Sequence, residues 1–326
     1  LNLVGHGLEL GNDGLPLIGL SANGDHVQIR DGDVHGVANG DAQQYRNYSD
    51  MMARYARALA PFWMKTMPRI GDNTAGELLT FAQLGLRLRM LGREDMREFM
   101  RVATLPMRDL MDEHFDSELL KATLSWDGLA GAKLAPRSPN NAVFALLYQR
   151  FDESFARHLI PTNGMVGLID ALVAAARAAG AQLRCEAPVS RICIDADESG
   201  LRATAVELDS GELIEARRVI SCADPQRTFL QLLGAQYLEI EFANRIKRLR
   251  CEGFVAKLHL ALSAVPQFPG LDIPDGRMIV APTMDSIEFA FDDAKYGHYS
   301  HEPVMECVIP TLRQPSLAPA GCHVLS

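Results

Sequence analysis

The first residues that could bind a cofactor are closely spaced glycines near the start of the chain. Leu1-Asn2-Leu3-Val4-Gly5-His6-Gly7 is an apolar run leading into two glycines, as at the start of a dinucleotide-binding turn. Such a turn needs a third small residue, and then a helix whose N-terminus meets the pyrophosphate. Leu10 occupies that third position, and Gly11-Asn12-Asp13-Gly14 would interrupt a helix. We therefore predict a strand and a turn without a phosphate-binding function.

Two histidines near the end of the chain are the candidates for a metal site. His298 and His301 lie three residues apart, and Asp292 and Asp293 precede them. The flanking glycine and proline predict a loop, and no third ligand has a metal-binding spacing. The chain also has neither the G-x-S-x-G turn of a hydrolase nor a P-loop. We therefore predict no metal site, and the spacing assigns no catalytic side chain.

Composition restricts the class of protein and its partners. The 326 residues carry a net charge of −9, which argues against nucleic acid because phosphate binding needs a basic surface. No run of about 18 apolar residues could span a bilayer. The six cysteines are widely spaced, which predicts free thiols in a reducing compartment. We expect a cytoplasmic location from these thiols, and the resemblance described below implies a mitochondrial one in a eukaryote. Because the chain runs from Leu1 to a strand-like end at Ser326, we expect it to be an internal part of a longer protein.

The elements of the first half follow from residue spacing. Asn23-Gly24 lies between two alternating runs, 15–20 and 26–30, and predicts a β-hairpin. Beyond Asp41 apolar residues recur every three or four positions, which predicts helices near 45–59, 75–91, 93–104 and 116–125. Methionine adapts to long apolar ligands, so this region is predicted to shape an apolar substrate cavity. An equally good alternative is that the methionines fill gaps between helices. The methionines concerned are Met51, Met52, Met64, Met67, Met90, Met96, Met100, Met107 and Met111.

A basic and apolar stretch lies within this helical region. Arg87, Arg89 and Arg93 alternate with leucines between Leu84 and Leu91. Such a helix could lie on a membrane surface or line an apolar tunnel. A core helix with a solvated arginine edge is the more ordinary interpretation. Peripheral membrane contact therefore stays open as an expectation.

The stretch 161–228 has the pattern of a helix followed by strands. Apolar spacing predicts a helix over 165–179 that is capped by Gly180. Strand-like runs follow at 181–185, 189–195, 203–208 and 213–222. We predict that the helix packs, through Leu168 and Leu172, on a sheet containing Leu183 and the strand that ends at Cys222.

Several segments in this stretch carry a resemblance to a known family. The sequence resembles the phytoene desaturase and flavin amine oxidoreductase superfamily through four elements. These are Pro161-Thr162-Asn163-Gly164-Met165, Ala179-Gly180-Ala181-Gln182-Leu183, Ala187-Pro188-Val189-Ser190-Arg191-Ile192, and Val219-Ile220-Ser221-Cys222-Ala223-Asp224-Pro225.

Further segments resemble one branch of that superfamily, which includes the pyridine nucleotide-disulphide oxidoreductase domain-containing protein two. They are Leu120-Lys121-Ala122, Asp127-Gly128, Ser138-Pro139, Phe291-Asp292-Asp293-Ala294-Lys295-Tyr296-Gly297, Ser300, Pro303, Glu306, Ile309-Pro310 and Pro315-Ser316-Leu317-Ala318-Pro319. The helix begins with Asn163-Gly164 where the family more often has two glycines.

The resemblance implies an α+β fold, with an incomplete FAD/NAD(P)-binding-like α/β piece and a mixed helical and antiparallel-sheet substrate domain. Residues 161–228 would be the returning part of the flavin domain, and 1–160 and 229–326 the substrate domain. The implied cofactor is FAD, with Val189 near the adenine and Cys222, Ala223 and Asp224 near the rest of the dinucleotide. The family's G-x-G-x-x-G and its glycine-rich C-terminal segment are not in this sequence. We therefore expect this chain alone to bind FAD weakly or not at all, and to be inactive.

Two functions from different classes follow from the resemblance. The first is a flavin-dependent oxidoreductase that transfers hydride from an apolar, isoprenoid-like substrate to flavin. The second is a non-catalytic lipid- or prenyl-binding protein of the same superfamily. An intact G-x-G-x-x-G in the parent protein would favour the enzyme.

Overall fold

The computed structural model describes residues 2–11, 13–66, 71, 74–139, 142–150, 159–197, 200–250 and 253–326. They form two compact units, which we call the hairpin unit and the helix-and-sheet unit. The hairpin unit is Leu172–Gly253, and the helix-and-sheet unit is Asn2–Ala171 with Phe254–Ser326. The mixture of helices and sheets is the predicted α+β class.

Nine α-helices lie within the described residues. The predicted helices near 45–59, 75–91, 93–104, 116–125 and 165–179 all occur, with ends that differ by a few residues. The helices are α1 Asn39–Leu59, α2 Ala75–Met90, α3 Arg93–Val102, α4 Met107–His114, α5 Glu118–Leu129, α6 Ala142–Gln149, α7 Gly164–Ala178, α8 Ile240–Lys247 and α9 Met284–Lys295.

A mixed five-stranded sheet organises the helix-and-sheet unit. Its order is β3-β2-β1-β8-β9, with β1 parallel to β8 and the other neighbours antiparallel. The predicted hairpin at Asn23-Gly24 is confirmed, since Leu17 pairs with Ile29 across it and Gly24 has φ of +89°. The strands are β1 Leu17–Gly19, β2 Val27–Arg30, β3 Asp33–His35, β8 Arg277–Val280 and β9 Met305–Cys307; β7 Leu260–Leu262 and β10 His323–Leu325 form a separate antiparallel pair.

The main core of this unit lies between one face of the sheet and the helices α1, α3, α4, α5 and α6. The buried face of α1 carries Tyr45, Tyr48, Met52, Tyr55 and Leu59, which is the face predicted from the spacing. Burying each such side chain contributes about 1.5–3 kcal/mol. A smaller cluster around Ile18, Met278 and Ile309 covers the other face of the sheet.

Close approaches between elements depend on glycines at two positions. A Cβ on Gly19 of β1 would lie 2.2 Å from Thr123 Oγ1 of α5. A Cβ on Gly128 of α5 would lie 2.7 Å from the carbonyl oxygen of Ala142 and 2.6 Å from Met107 Cε. These two glycines therefore allow α5 to contact both the sheet and α6.

Arg101 joins α3 to α4 at the surface of the unit. Its guanidinium donates to Glu98 at 2.6 Å and to Glu113 at 2.7 Å. The hydrogen bonds from Arg101 hold the pKa of both glutamates below its ordinary value. The side chains remain about 40% exposed, so the pair is screened by solvent and contributes modestly to stability.

The hairpin unit contains a three-stranded antiparallel sheet, a π-helix and α8, besides the end of α7 and a 3₁₀ turn. The sheet has the order β4-β5-β6, with β4 Val189–Asp197, β5 Gly200–Leu208 and β6 Leu213–Glu215. A π-helix, Arg227–Gly234, follows and packs against β4, and α8 contacts the π-helix. Helix α7 contains the residue at which the two units divide.

Two parts of the predicted architecture of residues 161–228 are wrong. Residues 181–185 and 219–222 form no strand, and Leu183 is 48% exposed. Leu172 of α7 is 41% exposed, so the described residues provide no sheet that covers it. The reason is that a strand forms only where a neighbour pairs with its N–H and C=O groups. Neither segment has such a neighbour within the described residues.

Candidate functional site

The segment Ser221–Thr228 forms a turn that its own side chains hold in place. Asp224 Oδ1 accepts the backbone N–H of Arg227 at 2.9 Å, and so caps the helical segment that follows. The hydroxyls of Ser221 and Thr228 bond to each other at 2.7 Å. Ser221 Oγ also accepts the N–H of Ala223, at 3.3 Å. The turn is thus ordered by hydrogen bonds within the segment.

Three of the four predicted contact residues lie in this turn, and all three are exposed. Cys222, Ala223 and Asp224 are surface residues, and the neighbouring Ile220 is 89% exposed. An ordered turn with exposed main chain and apolar side chains can contact a flat, partly apolar ligand. Binding to such a turn costs little conformational entropy, because the turn is already ordered without the ligand.

The fourth predicted contact, Val189, begins β4. It pairs with Leu208 of β5 and is half-buried. Because β4 packs against the π-helix that follows the turn, Val189 and the turn belong to adjoining elements of one unit. The structure therefore places all four predicted residues in the hairpin unit.

A flavin dinucleotide also needs a site for its phosphates. The glycine pair at the start of the chain is not that site. Val4–His6 is a 3₁₀ turn that ends at Gly7 with φ of +94°, and no α-helix follows it. The predicted turn is confirmed here, whereas the predicted strand is wrong. The four residues of the hairpin unit could contact a flavin dinucleotide, but the sequence contains no G-x-G-x-x-G turn leading into a helix for its phosphates.

An open pocket of about 700 Å³ lies in the helix-and-sheet unit. None of the methionines lines it, and three carboxylates do. Asp41 there accepts the backbone N–H groups of Asp116 and Ser117, both at 2.9 Å, and so joins the starts of α1 and α5. The lining residues are Gly24, Asp25, His26, Gln28, Gly36, Val37, Ala38, Asp41, Asp116, Ser117 and Gly270.

The methionines of the helical region divide between core and surface instead of lining this pocket. Met52, Met107 and Met111 are fully buried, and Met64 and Met90 are 89% and 72% exposed. Met67 lies outside the described residues. The buried ones fill gaps between helices, which was the alternative interpretation. The apolar cavity has no local support from these side chains.

The histidines near residue 300 form a loop, as expected. His298 and His301 follow α9, and the N–H of His301 bonds to Asp293 at 3.2 Å. No group of three or more metal-binding side chains occurs among the residues that the structure describes.

A half-buried charge cluster includes residues from two of the segments that carried the resemblance. Arg277 of β8 donates to Asp127 at 2.5 and 3.1 Å, and to Glu306 at 2.8 and 2.9 Å. Trp126 Nε1 donates to Glu306 at 2.7 Å. Burial by itself would lower the pKa of Arg277, but these hydrogen bonds raise it above its ordinary value. Asp127 and Glu306 therefore hold α5, β8 and β9 together.

In the sequence, Asp127 and Glu306 stand out only because they belong to segments that carry the family resemblance. Their partner, Arg277, lies 150 and 29 residues away along the chain. No local spacing could have joined the three. The available signal was an isolated arginine in Arg277–Val280, a segment that is otherwise apolar.

The fold is of the α+β class, and comparison with known proteins identifies the family. The model of the family described as flavin containing amine oxidoreductase matches residues 29–254. This chain belongs to that family.

Two curated relatives show how far the likeness extends. Pyridine nucleotide-disulfide oxidoreductase domain-containing protein 2 of Mus musculus is 33% identical over 310 residues, which cover 88% of this chain and 52% of that protein. A zeta-carotene-forming phytoene desaturase of Myxococcus xanthus is 27% identical over 212 residues, covering 65% and 37%. The chain thus spans about half the length of the first of these relatives.

A solved structure of putrescine oxidase bound to putrescine also aligns with the chain. The alignment covers 99% of this chain and 60% of that one, with 15% identity and a TM-score of 0.47.

Proposed function

We propose that the complete protein is an FAD-dependent oxidoreductase that removes hydride from a C–H bond of an apolar, isoprenoid-like substrate. The observation that carries the proposal is the ordered, exposed turn at Cys222–Asp224 in a chain of the flavin containing amine oxidoreductase family. The phytoene desaturase relative favours an apolar substrate over an amine.

The residues of this chain would bind and orient rather than react. When bound, a flavin supplies the hydride acceptor, so no protein acid or base is required for that transfer. The proton that the neighbouring carbon loses as the double bond forms would go to solvent. Val189 would offer an apolar surface to the adenine, and the main chain of Ala223 would approach the rest of the dinucleotide. Asp224 is a positioning residue, because its carboxylate is engaged in capping Arg227.

Removal of the cap on Arg227 tests the role of the turn. Substitution Asp224→Ala takes away a capping hydrogen bond that contributes about 1 kcal/mol. If FAD binds the ordered turn, its Kd should rise about fivefold. Asp209→Ala is the matched control, because Asp209 lies in the exposed β5–β6 turn of the same unit. The Kd is measured by quenching of flavin fluorescence on the complete protein.

Equal Kd values for the two variants would contradict the role of the turn. Reduction of the bound flavin under anaerobic conditions then tests the chemistry. An isoprenoid substrate should bleach the flavin absorbance, and an aliphatic diamine should not. The opposite result would assign an amine substrate. Bound flavin that neither substrate bleaches, in a protein that retains prenyl lipid, would favour the non-catalytic lipid-binding function.

A further inference from the structure

Helix α2 has an apolar face that nothing in the described chain covers. Leu78, Leu79, Leu86 and Met90 are 53%, 57%, 62% and 72% exposed. No residue of α2 is fully buried. Most surface helices direct polar side chains toward solvent, so this face requires an explanation.

The exposed residues lie on one stripe of the helix. Leu78, Ala82, Leu86 and Met90 follow each other at intervals of four residues, which places them on one face over about 18 Å. The opposite side carries Leu84 and Leu88, which are half-buried against the core of the helix-and-sheet unit. The helix therefore packs on its own unit through Leu84 and Leu88. The exposed stripe is a second apolar face, which that packing does not use.

The segment before α2 is joined to the helix by a hydrogen bond. Lys65 donates to Gln83 of α2 at 2.6 Å. Met64, next to that lysine, is 89% exposed. The segment therefore presents one further exposed apolar side chain.

The charges at the C-terminal end of this stripe are all positive. Between residues 84 and 93 the charged side chains are Arg87, Arg89 and Arg93 alone. Within the part of the chain that the structure describes, none of the three has a carboxylate partner. By contrast, Arg54 and Arg101 of the neighbouring helices are both paired. An apolar stripe that ends in unpaired cations, on a chain of net charge −9, is complementary to an anionic surface.

We propose that the exposed face of α2 docks on an anionic lipid bilayer. Leucine and methionine side chains would enter the apolar boundary, while the arginines extend to lipid headgroups. No helix among the described residues is long and apolar enough to cross a membrane, so α2 would lie on the surface. A second copy of the chain is the other possible occupant of this face, and the test below separates the two. The proposal is independent of the flavin chemistry.

Vesicle co-sedimentation of the complete protein tests this docking. One set of vesicles contains phosphatidylcholine alone, and the other contains added phosphatidylserine. Substitution Arg87→Gln with Arg89→Gln should lower binding to the anionic vesicles about fivefold per arginine. It should leave binding to neutral vesicles unchanged. Substitution Leu78→Gln with Leu86→Gln should lower binding to both kinds at least tenfold.

The matched control replaces exposed apolar residues elsewhere. Ile240 and Ile273 are 80% and 68% exposed, and Ile240→Gln with Ile273→Gln should leave vesicle binding unchanged. Flavin content and circular dichroism, measured on every variant, should remain as in the parent. Absence of binding by the parent, or an equal loss in the control, would overturn the proposal. A dimer that the leucine substitutions dissociate would also overturn it, and would assign the face to a second copy.

Discussion

Removing the cation of the half-buried cluster around Arg277 should destabilise the protein by about 3 kcal/mol. The side chains of Arg277, Asp127 and Glu306 are 11%, 20% and 27% exposed. Arg277→Met would take away four hydrogen bonds and leave two carboxylates without their cation. Loss of one partner from a buried pair costs about 3–5 kcal/mol, and the partial exposure of the carboxylates favours the lower end.

Urea denaturation, followed by circular dichroism, measures this loss as a change in the free energy of unfolding. The control is Arg46→Met, because Arg46 pairs with Asp33 at 3.2 Å while both side chains are more than half exposed. That change should cost no more than about 1 kcal/mol. Equal losses from the two substitutions would refute the reasoning.

A rescue experiment separates lost packing from uncompensated charge. Asp127→Asn and Glu306→Gln, added to Arg277→Met, remove both uncompensated carboxylates and keep their shapes. We expect this triple variant to regain at least half of the lost stability. A triple variant no more stable than Arg277→Met would show that packing, and not charge, is the cause.

Further predictions concern glycine packing and pH. Gly128→Ala should destabilise by about 1–3 kcal/mol because its Cβ would overlap the backbone of α6. Gly85→Ala, whose Cβ meets open space in the interior of α2, should stabilise by about 0.5–1 kcal/mol. Thermal denaturation compares the two variants. Losses of the same size would contradict the close packing at Gly128. Arg101 lowers the pKa of both Glu98 and Glu113 in the folded state. These two glutamates therefore stabilise the fold at pH values above their unfolded-state pKa. This stabilisation is lost as pH falls through the folded-state value. Arg101→Ala should therefore make the free energy of unfolding less dependent on pH in the acidic range. Arg97→Ala, on the same helix, should leave that dependence unchanged. Identical acid denaturation of the two variants would refute this prediction.

The sequence predicted best where the signal is local. The Asn23-Gly24 pair predicts its hairpin because it lies between two alternating runs, and Gly24 supplies a positive φ within residues 20–26, which join β1 to β2. Helix α1 follows from a single apolar stripe. The buried methionines of α4 were noticed, but their role in the core could not be separated from a role in a cavity, since the residue type suits both.

The failures all depend on contacts that are distant along the chain. Residues 219–222 are apolar enough for a strand, but strand formation depends on a pairing neighbour. In the described chain this segment becomes an exposed lead into the turn that Asp224 orders. Helix α2 is the opposite case, because the sequence predicted the helix correctly but not its exposure. Its arginines and leucines were visible in the sequence, but only the structure shows that no described residue covers its apolar face.

The most direct test of the central claim is the cofactor content of the complete protein. The protein is purified, incubated with FAD, freed of unbound cofactor and denatured, and the released molecule is identified by chromatography and mass spectrometry. We predict stoichiometric FAD, with a flavin absorbance that disappears when an isoprenoid substrate is added without oxygen. A protein that remains colourless and releases no flavin after this treatment would contradict the assignment as a flavin-dependent oxidoreductase.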